Sequence, residues 1–317
     1  MRTGGLEHFL PRTVFEPGVF LLRTAAWTFF ISILVCACTC SVSAQTVGAA
    51  AASSVPRIEG VDLAGDPLYL EPFFSKEYGH LLLEDVQHVL TAPVRWDTKQ
   101  WLWAGAAVGG LAAMTLLDKS FSEFIERNHN PTTDTVSTHV SKFGAEYSLV
   151  VLAGYYVGGQ LWDSPKARSV AQDGIAASII ASGMITPTLK LVFGRARHDQ
   201  GEGPYDFDPF NTKTDSFPSG HTTQAFAVAS VVAAHYDSIW VKLSAYGAAS
   251  LVGYSRIQKN KHWPTDVAAG ALIGTLVGNS VVRFNQQHRS QYRERTVSFA
   301  PIFDTHTVGL SMTLKLR

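Results

Sequence analysis

Cysteine is scarce in this chain of 317 residues: Cys36, Cys38 and Cys40 are the only three, and they lie together in one apolar stretch. A chain that loses that stretch by processing would have no thiol at all. It could then form no disulfide and no cysteine-ligated metal site.

Charged residues are also few. They make up 16% of the chain, against about 25% in typical soluble domains. The 26 basic and 26 acidic residues balance to a net charge of zero. Nucleic-acid-binding proteins usually carry a basic excess, so the balance argues against a nucleic-acid partner. The hydrophobic share of 46% suffices for a large helical core and is typical of a protein near a membrane.

The N-terminal region has the features of an export signal. Arg12 and Arg23 precede a charge-free apolar stretch that ends in the small residues 42–44, before Gln45. Basic residues, an apolar centre and a small-x-small ending are typical of a secretory signal peptide. We therefore predict a signal peptide at residues 1–44, cleaved before Gln45, with an uncleaved anchor as the alternative.

The remaining chain divides by composition into an extension, a core and a tail. Residues 45–97 are mixed and predict an exported linker followed by short helical pieces. Residues 98–288 contain six apolar segments separated by Gly, Pro and polar residues, and none alternates as a strand would. We predict an all-α six-helix bundle. The segments are 100–117, 147–162, 169–193, 221–236, 240–256 and 265–285.

The tail, residues 289–317, has a different period. Apolar residues occupy every second position from Val308 to Leu316. A period of two is typical of strands, so the tail is predicted to form a β-hairpin whose apolar face packs on the helical core.

Three clusters of functional side chains stand at the ends of predicted helices. One closes the third segment, one opens the fourth, and one joins the fifth to the sixth. Packed neighbouring helices alternate in direction, so these ends would meet on one side and bring cations, a glycine turn and two histidines together. That combination indicates a phosphate site. The residues are Lys190 and Arg197; Ser219, Gly220 and His221; and Arg256, His262 and Asp266.

Each cluster alone has a simpler interpretation. Lys190 could extend past an apolar helix to water, and Arg197 could be a surface cation. Ser219 could serve only as an N-cap, with His221 in the first turn. Asp266, shortly after Pro264, could do no more than cap its helix.

Together, the clusters resemble one superfamily: the type-2 phosphatidic acid phosphatases, with the bacterial class A acid phosphatases and vanadium haloperoxidases. The family pattern is K-x6-R-P, then P-S-G-H, then S-R-x5-H-x3-D. The chain has it in "KLVFGRAR", "PSGH" and "SRIQKNKHWPTD". His198 departs from it, standing where the family has proline. That change loosens the local backbone but removes no phosphate ligand. The resemblance covers roughly residues 100–285 and implies the helical bundle of that superfamily.

The resemblance also implies a role for each residue. Lys190, Arg197 and Arg256 would hold the phosphoryl oxygens, and Ser219 with the Gly220 backbone N–H would add hydrogen bonds. His262 would attack phosphorus. Asp266 would fix the tautomer of His262, and His221 would protonate the leaving alcohol.

The implied function is a metal-independent phosphatase, without cofactor, that forms a phosphohistidine. Its substrate would be a phosphorylated lipid or a small phosphomonoester. Alternatives are a soluble periplasmic acid phosphatase, a vanadate-dependent haloperoxidase and a non-catalytic membrane scaffold.

The sequence leaves membrane topology open. A membrane-spanning helix needs about 18 apolar residues, and only segment 100–117 clearly reaches that length. After a cleaved signal, three crossings would place residues 194–220 in the cytoplasm, whereas six-span family members keep this site on the exported side. We therefore expect an exported domain of the cell envelope, with its site on the periplasmic side. Membrane-peripheral and membrane-embedded arrangements both remain open.

Overall fold

A computed structural model describes residues 72–73, 75–200, 203–294, 298–304 and 307–313, with side chains up to residue 290. The predicted signal peptide and most of the extension lie outside these residues. The described chain is mostly helical, which confirms the predicted helical class.

Every predicted apolar segment lies in a helix, to within one residue at its ends. Two further helices, α1 and α3, flank the first segment, so the described residues contain more than six helices. The helices are α1 (Lys76–Leu90), α2 (Thr98–Arg127), α3 (Pro131–Ser141), α4 (Glu146–Leu161), α5 (Pro165–Ser178), α6 (Thr186–Phe193), α7 (Gly220–His235), α8 (Ile239–Gln258) and α9 (Pro264–Glu294).

A wide turn joins α5 to α6 without a break. Residues Ile179–Ile185 form a π-helix, and Thr186 Oγ1 donates to the carbonyl of Ala181, five residues back, at 2.8 Å. Pro187 explains the widening, because proline lacks an N–H and its ring crowds the carbonyl four residues earlier. The helical run therefore continues from Pro165 to Phe193.

Helix α7 is the centre of the bundle, and α9 packs closely along it. Three glycines one helical turn apart on α9 make this possible. A Cβ at Gly270 would stand 2.6 Å from the carbonyl oxygen of Ser219, and one at Gly274 or Gly278 would also overlap α7. Small residues at this spacing let two helix backbones approach. The N-termini of α7 and α9 are thereby held side by side.

The interior between α5, α7 and α9 consists of small and medium-sized apolar side chains. Val170, Ile180, Ala227, Val231 and Val281 are all fully buried there. Burial of such side chains removes apolar surface from water and is the main force that holds the helices together.

Large apolar side chains also cover the outside of the bundle. On α2, Leu102, Trp103 and Leu116 are each 69–70% exposed. Three helical runs are long and apolar enough to cross a membrane: Thr98–Arg127, Pro165–Phe193 and Pro264–Ser290. The prediction that only segment 100–117 reaches this length was wrong, because helix continuity extends two further runs past their polar interruptions.

The C-terminal tail contains two antiparallel strands, β1 (Ser298–Asp304) and β2 (Thr307–Thr313), with Ser298 opposite Thr313. Their side chains are not among those described, so the predicted apolar face stays a prediction.

Candidate active site

The site begins where α6 ends. Gly194 has φ 53° and ψ 44°, and its N–H donates to the carbonyl of Lys190 at 2.8 Å. A Cβ there would collide with the backbone carbonyl of Asp208. Glycine is therefore required, because it alone adopts the left-handed conformation freely and leaves room for the returning chain. The turn sends Arg195 and Arg197 back across the end of the bundle.

Two predicted cations share one carboxylate. Arg197 Nη2 donates to Asp215 Oδ2 at 2.8 Å, and Lys190 Nζ lies 3.6 Å from the same oxygen. Lys190 also donates to the backbone carbonyl of Asp215. The Lys190 and Arg197 side chains are 19% and 26% exposed. Neither side chain is a free surface charge. Lys190 does not simply extend to water, and Arg197 is not simply a surface cation.

The third cation, Arg256, ends α8 beside Arg197. Burial, with the charge of Arg197, lowers the pKa of Arg256 to about 10. Among the described residues, the Nε atoms of both arginines are buried without a hydrogen-bond partner. Buried donors without an acceptor are costly. These two point to an anion as the missing partner.

The segment before α7 carries the glycine turn. Ser219 is the residue before the helix and is fully buried. Its backbone N–H donates to the carbonyl of Asp266 at 3.0 Å, and its Oγ accepts from Thr222 Oγ1 at 2.9 Å. Ser219 therefore occupies the N-cap position without making the side-chain cap. A Cβ on Gly220 would stand 4.0 Å from Lys190 Cε. The positive end of α7 thus faces Lys190.

The hydrogen-bond partner of His262 differs from the prediction. Nδ1 lies 2.8 Å from the carbonyl oxygen of Ser216 and 3.7 Å from Asp266 Oδ2. A carbonyl can only accept, so Nδ1 carries the proton in the neutral ring and Nε2 has the free lone pair. In this structure Ser216, rather than Asp266, fixes the tautomer.

The ring of His262 is almost fully buried, with 2% exposed. This burial lowers its pKa to about 4, against the opposing effect of Asp266. Near neutral pH the ring is therefore uncharged, which a nucleophilic nitrogen requires.

His221 opens α7 and is partly buried. Burial lowers its pKa to about 4, with further lowering from the charges of Arg256, His262, Lys190 and Arg197. These four groups are themselves predicted site residues, so the structure brings them near His221 at this end of the bundle.

Asp266 belongs to a buried network that the sequence did not reveal. Arg195, fully buried, donates from Nη1 to Asp266 Oδ1 at 2.7 Å and from Nη2 to Asp118 Oδ2 at 2.6 Å. Asp266 Oδ2 also accepts from the backbone N–H of Trp263 at 2.9 Å. Asp266 therefore caps α9, as the simpler interpretation has it, and also faces His262. Asp118 ties α2 to this network. Arg195, two residues before Arg197, was one available signal in the sequence.

His198, where the resemblance expects proline, stacks on Trp263 with ring centroids 3.5 Å apart. Both of its ring nitrogens are buried without a partner among the described residues, and burial lowers its pKa to about 4. The His198 ring is therefore uncharged near neutral pH, packs flat against Trp263 and adds no positive charge to the site.

A family model described as the PAP2 superfamily matches residues 174–290, the segment that carries all eight predicted site residues. Residues 174–290 of this chain are similar to the PAP2 superfamily. This confirms the resemblance seen in the motifs. Asp118, which anchors the Arg195 network, lies outside the matched PAP2 segment.

Two curated relatives and one solved structure illustrate the similarity. The lipid A 1-phosphatase of Porphyromonas gingivalis is 44% identical over 81 residues, 24% of this chain and 18% of that protein. The undecaprenyl-diphosphatase BcrC of Bacillus subtilis is 26% identical over 159 residues, 50% of this chain and 78% of that protein. The crystal structure of Aquifex aeolicus LpxE is 27% identical with a TM-score of 0.43, over 53% of this chain and 95% of that one. The chain spans less than half the length of the lipid A 1-phosphatases it matches.

Proposed function

We propose that this protein is a metal-independent phosphatase that removes a phosphoryl group from a lipid through a phosphohistidine on His262. The observation that carries the proposal is the buried His262 ring, whose Nε2 lone pair is left free, at the same end of the bundle as three cations. Two of these cations have buried donors without a partner among the described residues. Fixed cations around a transferring phosphoryl group supply the electrostatic stabilisation that such reactions need.

In the first step, the Nε2 lone pair of His262 forms a bond to phosphorus while the bond from phosphorus to the leaving oxygen breaks. His221 gives that oxygen a proton. Burial and neighbouring cations set the low pKa of His221, and a bound phosphate dianion opposes those cations and raises this pKa. In the second step His221 takes a proton from water, the water oxygen bonds to phosphorus, and the N–P bond breaks.

Asp266 has an electrostatic and organising role in this proposal. At 3.7 Å from Nδ1 it stabilises the positive ring that phosphorylation creates. It also accepts a hydrogen bond from Ser216 Oγ at 2.6 Å, which holds the residue whose carbonyl orients the ring. Arg195, shared with Asp118, keeps this carboxylate ionised and in place.

Two observations support a lipid over a soluble substrate. Three helices are long and apolar enough to cross a membrane, and relatives in the same superfamily are named for lipid A and undecaprenyl diphosphate. We place the protein in the cell envelope, with the site on the periplasmic side. N-terminal sequencing of the envelope protein tests the export part: a chain that still begins at Met1 contradicts signal cleavage.

The decisive experiment is a substrate panel on the purified protein with acid-quenched trapping of the phosphoenzyme. The panel contains a lipid A-type 1-phosphate, a polyprenyl diphosphate, phosphatidate and nitrophenyl phosphate, each with and without EDTA and orthovanadate. We expect turnover that resists EDTA, is blocked by vanadate and is fastest on a lipid. His262→Ala should lose the labelled intermediate and turnover on every substrate. Activity lost with EDTA and restored by a divalent metal, or phosphohistidine formed by His262→Ala, contradicts the mechanism.

A further inference from the structure

An anion from the chain itself contacts two of the cations assigned to the phosphate. Asp215 Oδ2 accepts from Arg197 at 2.8 Å and lies 3.6 Å from Lys190 Nζ. These are two of the three cations assigned to the phosphoryl oxygens. A carboxylate and a phosphate oxygen present the same kind of acceptor to a guanidinium, so the two anions compete for the same donors.

The backbone around Asp215 is fixed, whereas its carboxylate is not. The N–H of Ser216 donates to the carbonyl of Arg195 at 2.9 Å, and Lys190 donates to the Asp215 carbonyl. The Asp215 side chain itself is 41% exposed. Rotation about its Cα–Cβ bond is therefore enough to move the carboxylate into solvent, without rearranging the loop.

We propose that Asp215 is an internal competitor for the phosphoryl group: it neutralises Lys190 and Arg197 and is displaced when phosphate binds. This inference rests on the proposed function of the same site. Its consequence concerns product release. Orthophosphate left after hydrolysis faces three cations and would leave slowly, and a carboxylate that returns to two of them favours its departure.

An alternative role for Asp215 makes the opposite prediction. If the carboxylate served to hold Lys190 and Arg197 in their productive positions, its removal would let them move and would weaken phosphate binding. The direction of the change in phosphate affinity therefore separates a competitor from a positioning residue.

The test compares Asp215→Asn and Asp215→Ala with wild type. Asp199→Asn is the matched control, because Asp199 is also exposed and pairs, at 3.1 Å, with a lysine outside the site, Lys261. Titration calorimetry gives the Kd of orthophosphate, and steady-state assays give its inhibition constant. Loss of a charge-assisted competing hydrogen bond should tighten orthophosphate by about tenfold in both Asp215 variants. Asp199→Asn should change it by less than about twofold.

Each outcome has a distinct meaning. Weaker or unchanged orthophosphate binding in both Asp215 variants overturns the inference, and so does equal tightening in Asp199→Asn, which would show a general effect of net charge. Thermal melting of every variant identifies loss of folding, and Asp215→Asn keeps the side-chain shape if Asp215→Ala does not fold. Wild type that binds orthophosphate but hydrolyses nothing contradicts the proposed function, while the calorimetric comparison still decides the role of Asp215.

Discussion

The two ends of the bundle both bury charged side chains, yet they are built differently. At the end opposite the candidate site, α1, α5, α7 and α9 meet in a cluster centred on Asp173. Asp173 is fully buried and accepts from Arg289 at 2.8 and 3.1 Å, from Asn285 at 2.9 Å, and contacts His235 Nε2 at 2.8 Å. The charges of Asp173, Arg289 and His235 are paired with one another, and the atoms of Asp85 and Asn285 that lack a partner among the described residues are acceptors.

At the site end, the cationic hydrogen-bond donors outnumber their acceptors. Lys190 and Arg197 share the carboxylate of Asp215, and the buried Nε atoms of Arg197 and Arg256 have no partner among the described residues. Buried charge by itself therefore does not mark a functional site, because ion pairs that satisfy one another serve packing. A surplus of cationic side chains in one place indicates that an anionic ligand binds there.

The strongest test of this contrast compares the two histidines on α7. His221→Ala removes proton transfer at the site end and should lower kcat by about 10²- to 10⁴-fold on a lipid substrate. The loss should be smallest for nitrophenyl phosphate, whose leaving group needs little protonation. His235→Ala, at the other end of the helix, should leave that dependence on the leaving group unchanged. Equal losses on both substrates in His221→Ala would contradict its role as the acid.

The opposite end should respond in stability instead. Asp173→Ala leaves Arg289 and His235 without their carboxylate and should lower the free energy of unfolding by about 3–5 kcal/mol. The kcat of the protein that remains folded should not change. Thermal melting and turnover of the same sample measure both. Glu123→Ala is the control, since Glu123 is 45% exposed in its pair with Arg127; its effect should stay within about 1 kcal/mol. A loss of kcat in folded Asp173→Ala would mean that the two ends are coupled.

A smaller effect should appear as a pH dependence. Burial first, and then the charge of Asp173, raises the pKa of Asp85 to about 8, while Asn285 and Arg289 lower it. The folded protein therefore holds a proton that the unfolded chain releases above its ordinary pKa. Stability is fully present below that ordinary value and falls as pH rises toward 8, by at most about 1.4 kcal/mol per pH unit.

Asp85→Asn tests this directly. The variant keeps the shape but cannot ionise, so its melting temperature relative to wild type should rise between pH 5 and pH 8. Parallel curves for the two proteins over this range would show that Asp85 is ionised in the folded state.

The smallest expected effect is that of the residue departing from the family pattern. His198→Pro introduces the proline of the family pattern and removes a buried ring whose nitrogens have no partner in the described part of the chain. Because the ring contributes no charge to the site, kcat/KM should stay within about threefold of wild type, equivalent to about 0.7 kcal/mol. His198→Ala controls for loss of the stack on Trp263. A loss greater than about tenfold in both variants would place His198 in the phosphate chemistry.

Much of this architecture was readable from the sequence, because helices and their polar ends are local patterns. The six apolar segments predict helices, and the three motifs stand where helices end. The two acids that organise the interior were not predicted. Asp118 and Asp173 each lie alone within or at the edge of an apolar segment, and their partners are distant in the chain. An isolated acid in an apolar helix was the signal that could have revealed them.

The details of the His262 contacts were beyond sequence reasoning for a different reason. The atom that orients the ring is the backbone carbonyl of Ser216, and every residue has such a carbonyl. Asp215, immediately before it, resembles any loop acid until Lys190 and Arg197 are seen on either side. Contacts made by the backbone, or by side chains brought together from separate loops, leave no periodic pattern or fixed spacing in the sequence.

The π-helical turn at Ile179–Ile185 determines the direction in which one charge points. An α-helix turns by about 100° per residue, and a π turn inserts the equivalent of one extra residue. Lys190 lies downstream of that insertion on the same continuous run. If the same residues closed into regular α-helix with none removed, Lys190 would rotate by about 100°, away from Arg197. The wide turn thus shifts the phase of the helix: upstream of it side chains face the core, and downstream of it Lys190 faces Asp215.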